Sequence, residues 1–374
     1  MFDTVIRGGT IVDGTGTAPF IGDVAVKDGR IAAVGSQLGP AREEVDASGL
    51  LVTPGWVDMH THYDGQVTWD PHFTPSGWHG VTTVVMGNCG VGFAPCKSED
   101  REWLINVMEG VEDIPEAALS EGIRWNWQSF PEYLDAIESV PHSVDFATQV
   151  PHSALRGYVM GQSASEQEQP TREQMYEMKA LVKEALEAGA LGFSTSRTSL
   201  HKTAEGEFVA GTFAEPDELF VIAEALKETG TGVFECAAEH VTLAGDIQWL
   251  EQLSHETQRP VLFNLSQTDF APKLWEDVVS KLEDAGTRGA PLYAQVAGRA
   301  IGIVMGWRLT AHPFVLHPSF EALAELPWEA QLEQLKDDSF KAALCAEKPN
   351  ERGVFEYYVT HSFDKMFPLN ETGY

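Results

Sequence analysis

The order of apolar and polar positions changes character near residue 50. Before that point, short alternating stretches stand between turns: Thr4 to Arg7, Thr10 to Val12, Asp23 to Lys27, Arg30 to Val34 and Glu44 to Asp46. Alternation with period two is the pattern of half-buried strands. Asp28-Gly29 marks a hairpin, because both residues tolerate the positive φ of a tight two-residue turn. Residues 1–52 are therefore expected to form the N-terminal part of a small composite β-sandwich.

From Leu51 onward, apolar runs of strand length alternate with segments of helical period. Strands are predicted at Leu51 to Asp58, Val81 to Met86, Val144 to Thr148, from Gly189 to Phe193, and at Gly232 to Ala238, Pro260 to Leu265 and Pro291 to Val296. Helices are predicted between the later ones, at Pro216 to Glu228, Leu243 to Glu256 and Lys273 to Ala285. Another begins at Thr171, which forms a capping-box pattern with Gln174 and precedes Met175, Met178, Leu181, Val182, Ala185 and Leu186 on one face. Strand-helix repetition implies a parallel sheet with right-handed crossovers, here with about seven strands, one short of a closed (β/α)8 TIM-like barrel.

Residues 53–374 thus read as an incomplete barrel. A Trp-rich insertion at about 97–142, with Trp103, Trp125, Trp127 and Tyr133, is too long for a simple connection. It is expected to form helices over one end of the barrel, either as a lid or through ordinary aromatic packing. After Arg299 the segments are Pro-rich or helical, with no further clear strand.

Composition narrows the function classes. The 374 residues carry a formal net charge of −31, which opposes lasting contact with nucleic acid or anionic membrane, since both need a basic surface. The four cysteines show no CxxC pairing, so reduced thiols in a cytoplasmic protein are expected. No basic segment followed by a long apolar run opens the chain, and no stretch approaches the ~20 apolar residues of a membrane span.

The strongest chemical signal is Pro54-Gly55-Trp56-Val57-Asp58-Met59-His60-Thr61-His62. Side chains alternate along a strand, so His60 and His62 share a face, and two imidazoles at the carboxyl end of a barrel strand can converge on one metal. The second signal is Val81 to Met86 followed by Gly87-Asn88-Cys89-Gly90. There Cys89 is a candidate metal ligand, the alternative being a buried small apolar side chain. Arg197 could pair with a substrate carboxylate or serve a structural ion pair. The remaining histidines, among them His152, His201 and His312, have no ligand spacing and read as core or surface residues.

Taken together, His60-Thr61-His62-Tyr63-Asp64 and Gly87-Asn88-Cys89-Gly90 resemble the amidohydrolase superfamily, in its N-acyl-D-amino-acid deacylase (D-aminoacylase) branch. The resemblance implies a metal centre of one or two divalent ions, most simply Zn²⁺, with His60, His62 and Cys89 as ligands. The cysteine takes the place of the carboxylated lysine that many relatives carry on the fourth strand, and Gly192 to Arg197 contains no lysine. Cleavage of a non-peptide amide in a small-molecule N-acyl amino acid is the implied reaction. Cyclic-amide hydrolysis of the hydantoinase or dihydroorotase kind, and a non-catalytic barrel scaffold, are the alternatives.

Two departures stand against the branch pattern. The histidines it places on strands five and six are absent, those segments reading Val233 to Glu239 and Val261 to Gln267. Glu235, Glu239 or His240 could substitute, or could be structural. The eighth-strand aspartate that transfers the proton is also missing, so the catalytic residue is expected outside these residues and the chain is expected to be partial and, alone, inactive.

Overall fold

The computed structural model describes residues 1–369 apart from positions 241, 270, 310 and 351–353. Strands β1 (Phe2–Ile11), β2 (Phe20–Lys27), β3 (Arg30–Gly35), β4 (Ala41–Asp46) and β5 (Leu51–Val52) make one sheet in the order β3-β2-β1-β4, with β5 also on β1. Asp28 and Gly29, both at positive φ, turn the β2–β3 hairpin. The two strands expected at Thr4 and Thr10 are a single one. The glycine pair produces a register shift against β2 between Ile6 and Gly9 rather than a break.

A second discontinuity was hidden from the side-chain pattern. The run from Leu51 to Asp58 is two strands in two sheets: β5 pairs with β1, and β6 (Trp56–Asp58) pairs with β7 (Val81–Met86). Pro54 lies between them, and a residue without an N–H cannot extend a ladder in both directions. The chain passes from the small sheet to the large one at this point.

The large sheet continues through β8 (Asp145–Pro151), β9 (Gly192–Ser196), β10 (Val233–Ala237), β11 (Val261–Asn264) and β12 (Leu292–Gln295). All seven strands pair in parallel and in sequence order. Helices α1 (Arg101–Glu112), α2 (Glu116–Gly122) and α3 (Phe130–Glu138) form the Trp-rich insertion between β7 and β8. Next come α4 (His152–Met160), the short α5 (Gln162–Ser165) and α6 (Arg172–Ala188), then α7 (Pro216–Thr229), α8 (Leu243–Thr257) and α9 (Leu274–Thr287) as successive crossovers. Helices α10 (Pro318–Ala324), α11 (Trp328–Lys336), α12 (Asp338–Ala346) and α13 (Val354–His361) follow β12, and no eighth parallel strand occurs among the described residues. The two edges of the arc nevertheless meet: His60 Nδ1, just past β6, lies 3.0 Å from Gln295 Oε1 at the end of β12.

The core lies between this sheet and its helices, with Phe193, Phe234, Val261 and Phe263 packed against Met178, Val182, Leu219 and Ile222. Thr171 and Gln174 make the reciprocal capping box that starts α6. Within the insertion, Trp127 is buried, donates to Phe93 O at 2.8 Å and lies against the tilted rings of Trp125 and Tyr133. Among the described residues no helix is long and apolar enough to cross a membrane.

One charged cluster is sealed between β9 and the helices. His152 on α4 bonds Thr195 Oγ1 at 2.8 Å and Glu218 Oε1 of α7 at 2.9 Å, while Arg156 Nη1 donates to Glu218 Oε2 at 3.2 Å. All three ionisable side chains are buried. Burial of this kind is tolerated only when charges are paired and hydrogen-bonded, which this arrangement supplies. The core reading of His152 fits this position.

Candidate metal centre

The site is assembled where the first two strands of the large sheet end. Thr61 continues the pairing beyond β6, its N–H and hydroxyl both donating to Val85 O. That turns Thr61 toward β7 and leaves the two flanking imidazoles on the opposite side, with ring centroids 5.4 Å apart. Beyond β7, Asn88 is fully buried and joins three strands' ends: its Nδ2 donates to Thr61 O and Val85 O, and its Oδ1 accepts from Gln149 Nε2. Gly87 lies at φ +72°, where a Cβ would sit 2.2 Å from Gln149 O. The glycine therefore serves close packing on β8 rather than approach to a ligand.

This turn presents Cys89 in the left-handed region, at φ +56°. Two groups hold it there. Its N–H donates to Glu235 Oε2 at 3.0 Å, and the next N–H, that of Gly90, donates to Ser194 Oγ at 3.0 Å. Ser194 in turn donates to Gly87 O. Glu235 and Ser194 are register partners on β10 and β9, so both act on the loop from the same level of the sheet.

The result is that one donor atom each from His60, His62 and Cys89 lies within 4.8 Å of the others. His60 Nε2 is 3.0 Å from Cys89 Sγ. His62 Nδ1 is buried with no protein partner. Two imidazoles and a thiol form a donor set suited to a borderline-soft divalent ion, whose bonds to N and S are about 2.0–2.3 Å. An orphaned imidazole nitrogen in such a cluster fits a cation better than it fits a closed core.

Electrostatics agree with that fit. Burial holds His60 below its ordinary pKa and, with His60 and His201 nearby, holds His62 well below it, so both rings are neutral and have a lone pair to give. Burial pushes the Cys89 thiol well up, so its thiolate needs a compensating positive charge. Burial also raises Asp64 to about 7 and Glu235 to about 8.

The other sequence candidates are placed differently. Glu235 is a support for the Cys89 backbone, and its Oε1 is buried without a partner. Glu239 accepts from the backbone and hydroxyl of Ser199 and so closes a turn. His240 lies against Asn264, and His201 bonds Ser196 Oγ, burial with the neighbouring His240 and His60 lowering it to about 4. Arg197 donates to Ala214 O at 2.6 Å and lies 5.7 Å over the Trp249 ring. Sequence reasoning missed Gln295, whose Oε1 lies 3.0 Å from His60 Nδ1, and Glu112, whose Oε1 lies 3.3 Å from His62 Nε2 and whose carboxyl burial pushes up to about 8. Nothing in their local pattern distinguishes them from solvent-facing polar residues.

Comparison with known proteins bears on this arrangement. Residues 43–353 match the Amidohydrolase family. The chain belongs to that family. A D-aminoacylase of Alcaligenes xylosoxydans xylosoxydans is 38% identical over 195 residues, covering 52% of this chain and 37% of its own length. The crystal structure of a D-aminoacylase superposes with a TM-score of 0.66 at 28% identity, covering 81% of this chain and 60% of that one. An N-acyl-D-glutamate deacylase from Bordetella bronchiseptica, solved with zinc and a phosphonate inhibitor, gives 0.65 at 26% identity over 80% and 59%. The chain spans about two-fifths of the length of the curated relatives it matches. The fold is accordingly the TIM-like amidohydrolase fold with an additional small sheet.

Proposed function

We propose that this chain carries the metal-binding part of a hydrolase that cleaves a non-peptide amide bond in an N-acyl amino acid of D configuration. One observation carries the reading: the approach of His60, His62 and Cys89 donor atoms to within 4.8 Å at the carboxyl end of the sheet. The relatives that share the fold and bear the names D-aminoacylase and N-acyl-D-glutamate deacylase support the substrate class.

A divalent ion held there, Zn²⁺ in our reading, supplies Lewis-acid polarisation of the scissile carbonyl and a lowered pKa for the attacking water. The protein's own part is to hold the three donors in place. Gln295 fixes the His60 ring, Thr61 fixes the strand between the imidazoles, and Glu235 with Ser194 fixes the Cys89 turn. Arg197, directly after β9, is the cation we assign to the substrate carboxylate. The resemblance gives proton transfer to an aspartate, and among the described residues no aspartate joins the three donors.

The test is to titrate the purified chain with Zn²⁺ against a chromogenic chelator, and to assay both it and the full-length protein on N-acyl-D-amino acids and cyclic amides. A tight site abolished by His60→Ala and by Cys89→Ser supports the metal centre, and Arg197→Lys should raise KM for acidic substrates. Hydrolysis confined to cyclic amides would move the substrate class. A chain that binds no Zn²⁺ and hydrolyses nothing would favour a non-catalytic scaffold.

A further inference from the structure

The segment after β12 builds a small core of its own, in which Phe320 and Leu323 of α10 pack with Leu344 of α12. Beside it an open cavity of about 380 Å³ lies between residues 307–315, α10 and the start of α11. It shares no residue with the metal centre. Trp307, Phe320 and Trp328 give it aromatic walls, and Leu309 and Ala324 add apolar surface.

These walls are held in place. The Trp307 ring lies nearly parallel to Phe314 and Phe320, with centroids 5.6 and 5.5 Å away, and the His312 ring meets Phe320 edge-on at 4.3 Å. Phe314 N donates to His312 Nδ1 at 3.2 Å, while Gln331 Nε2 donates to Ala324 O and Leu326 O across the turn from α10 to α11. Trp307 and Leu309 nevertheless stay 40% and 48% exposed. Apolar surface is therefore left unburied on a frame that is already fixed, as in preformed small-molecule sites.

The charge of the cavity is opposite to that of the chain. Asp and Glu number 56 against 25 Lys and Arg, yet no Asp or Glu lines the cavity, and Arg308 does. The guanidinium of Arg308 lies over the Trp328 ring, 5.4 Å from its centroid. Among the described residues no carboxylate or other acceptor pairs with it. A contact with a ring uses the guanidinium's charge but not its fork of N–H donors, which matches a carboxylate.

We propose that this cavity binds a small aromatic carboxylate, with its ring against the apolar walls and its carboxylate on Arg308. The proposal does not depend on the metal centre being filled. Aromatic walls accept a flat ring by edge-to-face or offset contact, and the volume lies within the ~300–1,000 Å³ of small-molecule pockets. A neutral ring compound would leave the guanidinium without an acceptor, and a cationic one would be repelled by it.

The experiment titrates phenylacetate into the chelator-treated protein by calorimetry, so that no bound metal contributes. Saturable one-to-one binding is expected. Phenethyl alcohol keeps the ring without the charge and should bind at least about tenfold more weakly. Arg308→Gln should cost phenylacetate about 10–100-fold, the value of a hydrogen bond to a charged group, and leave the alcohol unaffected. Arg308→Lys keeps the charge without the planar fork and should recover part of that loss. Ala324→Trp, at an exposed position of α10, fills the cavity and should abolish binding of both compounds. Thermal midpoints of the unliganded proteins should agree, because both substituted side chains are exposed. Absence of saturable binding, or equal affinity for acid and alcohol, would overturn the proposal. So would phenylacetate binding that survives both Arg308→Gln and Ala324→Trp but is lost in Arg197→Gln, which would put the carboxylate beside β9 instead.

Discussion

Replacing Glu235 by Gln should make the metal-free protein more stable at alkaline pH and change the shape, not merely the height, of its stability profile. Glu235 is fully buried. Burial raises its pKa from 4.5 to about 8, offset only in part by the hydrogen bond from Cys89 N. A folded-state pKa above the unfolded one favours the protonated, folded form. Its contribution is fully present below about 4.5 and is lost as pH rises through about 8. A tenfold change in proton affinity between the folded and unfolded chains is worth about 1.4 kcal/mol, so the loss across that window is on the order of 5 kcal/mol. Glutamine has nothing to ionise. Its carbonyl oxygen can still accept from Cys89 N–H, and its amide group replaces an oxygen that already lacks a partner, which adds a cost that does not vary with pH. Urea unfolding of chelator-treated wild type and Glu235→Gln from pH 5 to 9 measures the difference. The variant should gain on wild type steadily with pH. Two parallel profiles would mean that Glu235 already ionises in the folded state at ordinary pH, and the burial argument would be refuted.

Further outcomes follow from other sites. Gly87→Ala should destabilise by at least ~2 kcal/mol, since it combines a positive φ with a Cβ placed 2.2 Å from Gln149 O; a two-state urea midpoint equal to wild type would contradict the packing described. His152→Ala leaves Glu218 and Arg156 as a buried pair without their third partner and should cost on the order of 3–5 kcal/mol. Its metal affinity should be retained, because the cluster lies on the helix side of β9 through Thr195; loss of Zn²⁺ binding at full foldedness would show that the two clusters are coupled.

What could be read from the chain was whatever depends on local periodicity. The helices from Thr171 onward and the strand Val81–Met86 emerge because each has one face that must be buried. His60, His62 and Cys89 emerge because a spacing of two and a turn directly after a strand determine where side chains leave a parallel sheet. The break between β5 and β6 did not, since Leu51-Val52 and Trp56-Val57 each read as strand on either side of Pro54 and only the partner strands separate them. Glu112 and Gln295 were equally invisible: a polar residue at a helix or strand end looks solvent-facing until the fold brings a histidine to it. Glu235 was weighed as an oxygen donor for an ion. Its geometry instead makes it an acceptor for the Cys89 backbone, a relation between two strands that no single segment encodes.

The contact between His60 and Gln295 joins residues 235 apart in the chain. Translation at ~5–20 residues per second makes that interval roughly ten seconds to a minute. During it, both imidazoles and the thiol have already emerged, while the side chain that orients the first ring has not been made. The order of synthesis therefore separates the three side chains from the amide that meets the first of them, and the His60 ring keeps its rotational freedom until β12 has paired with β11.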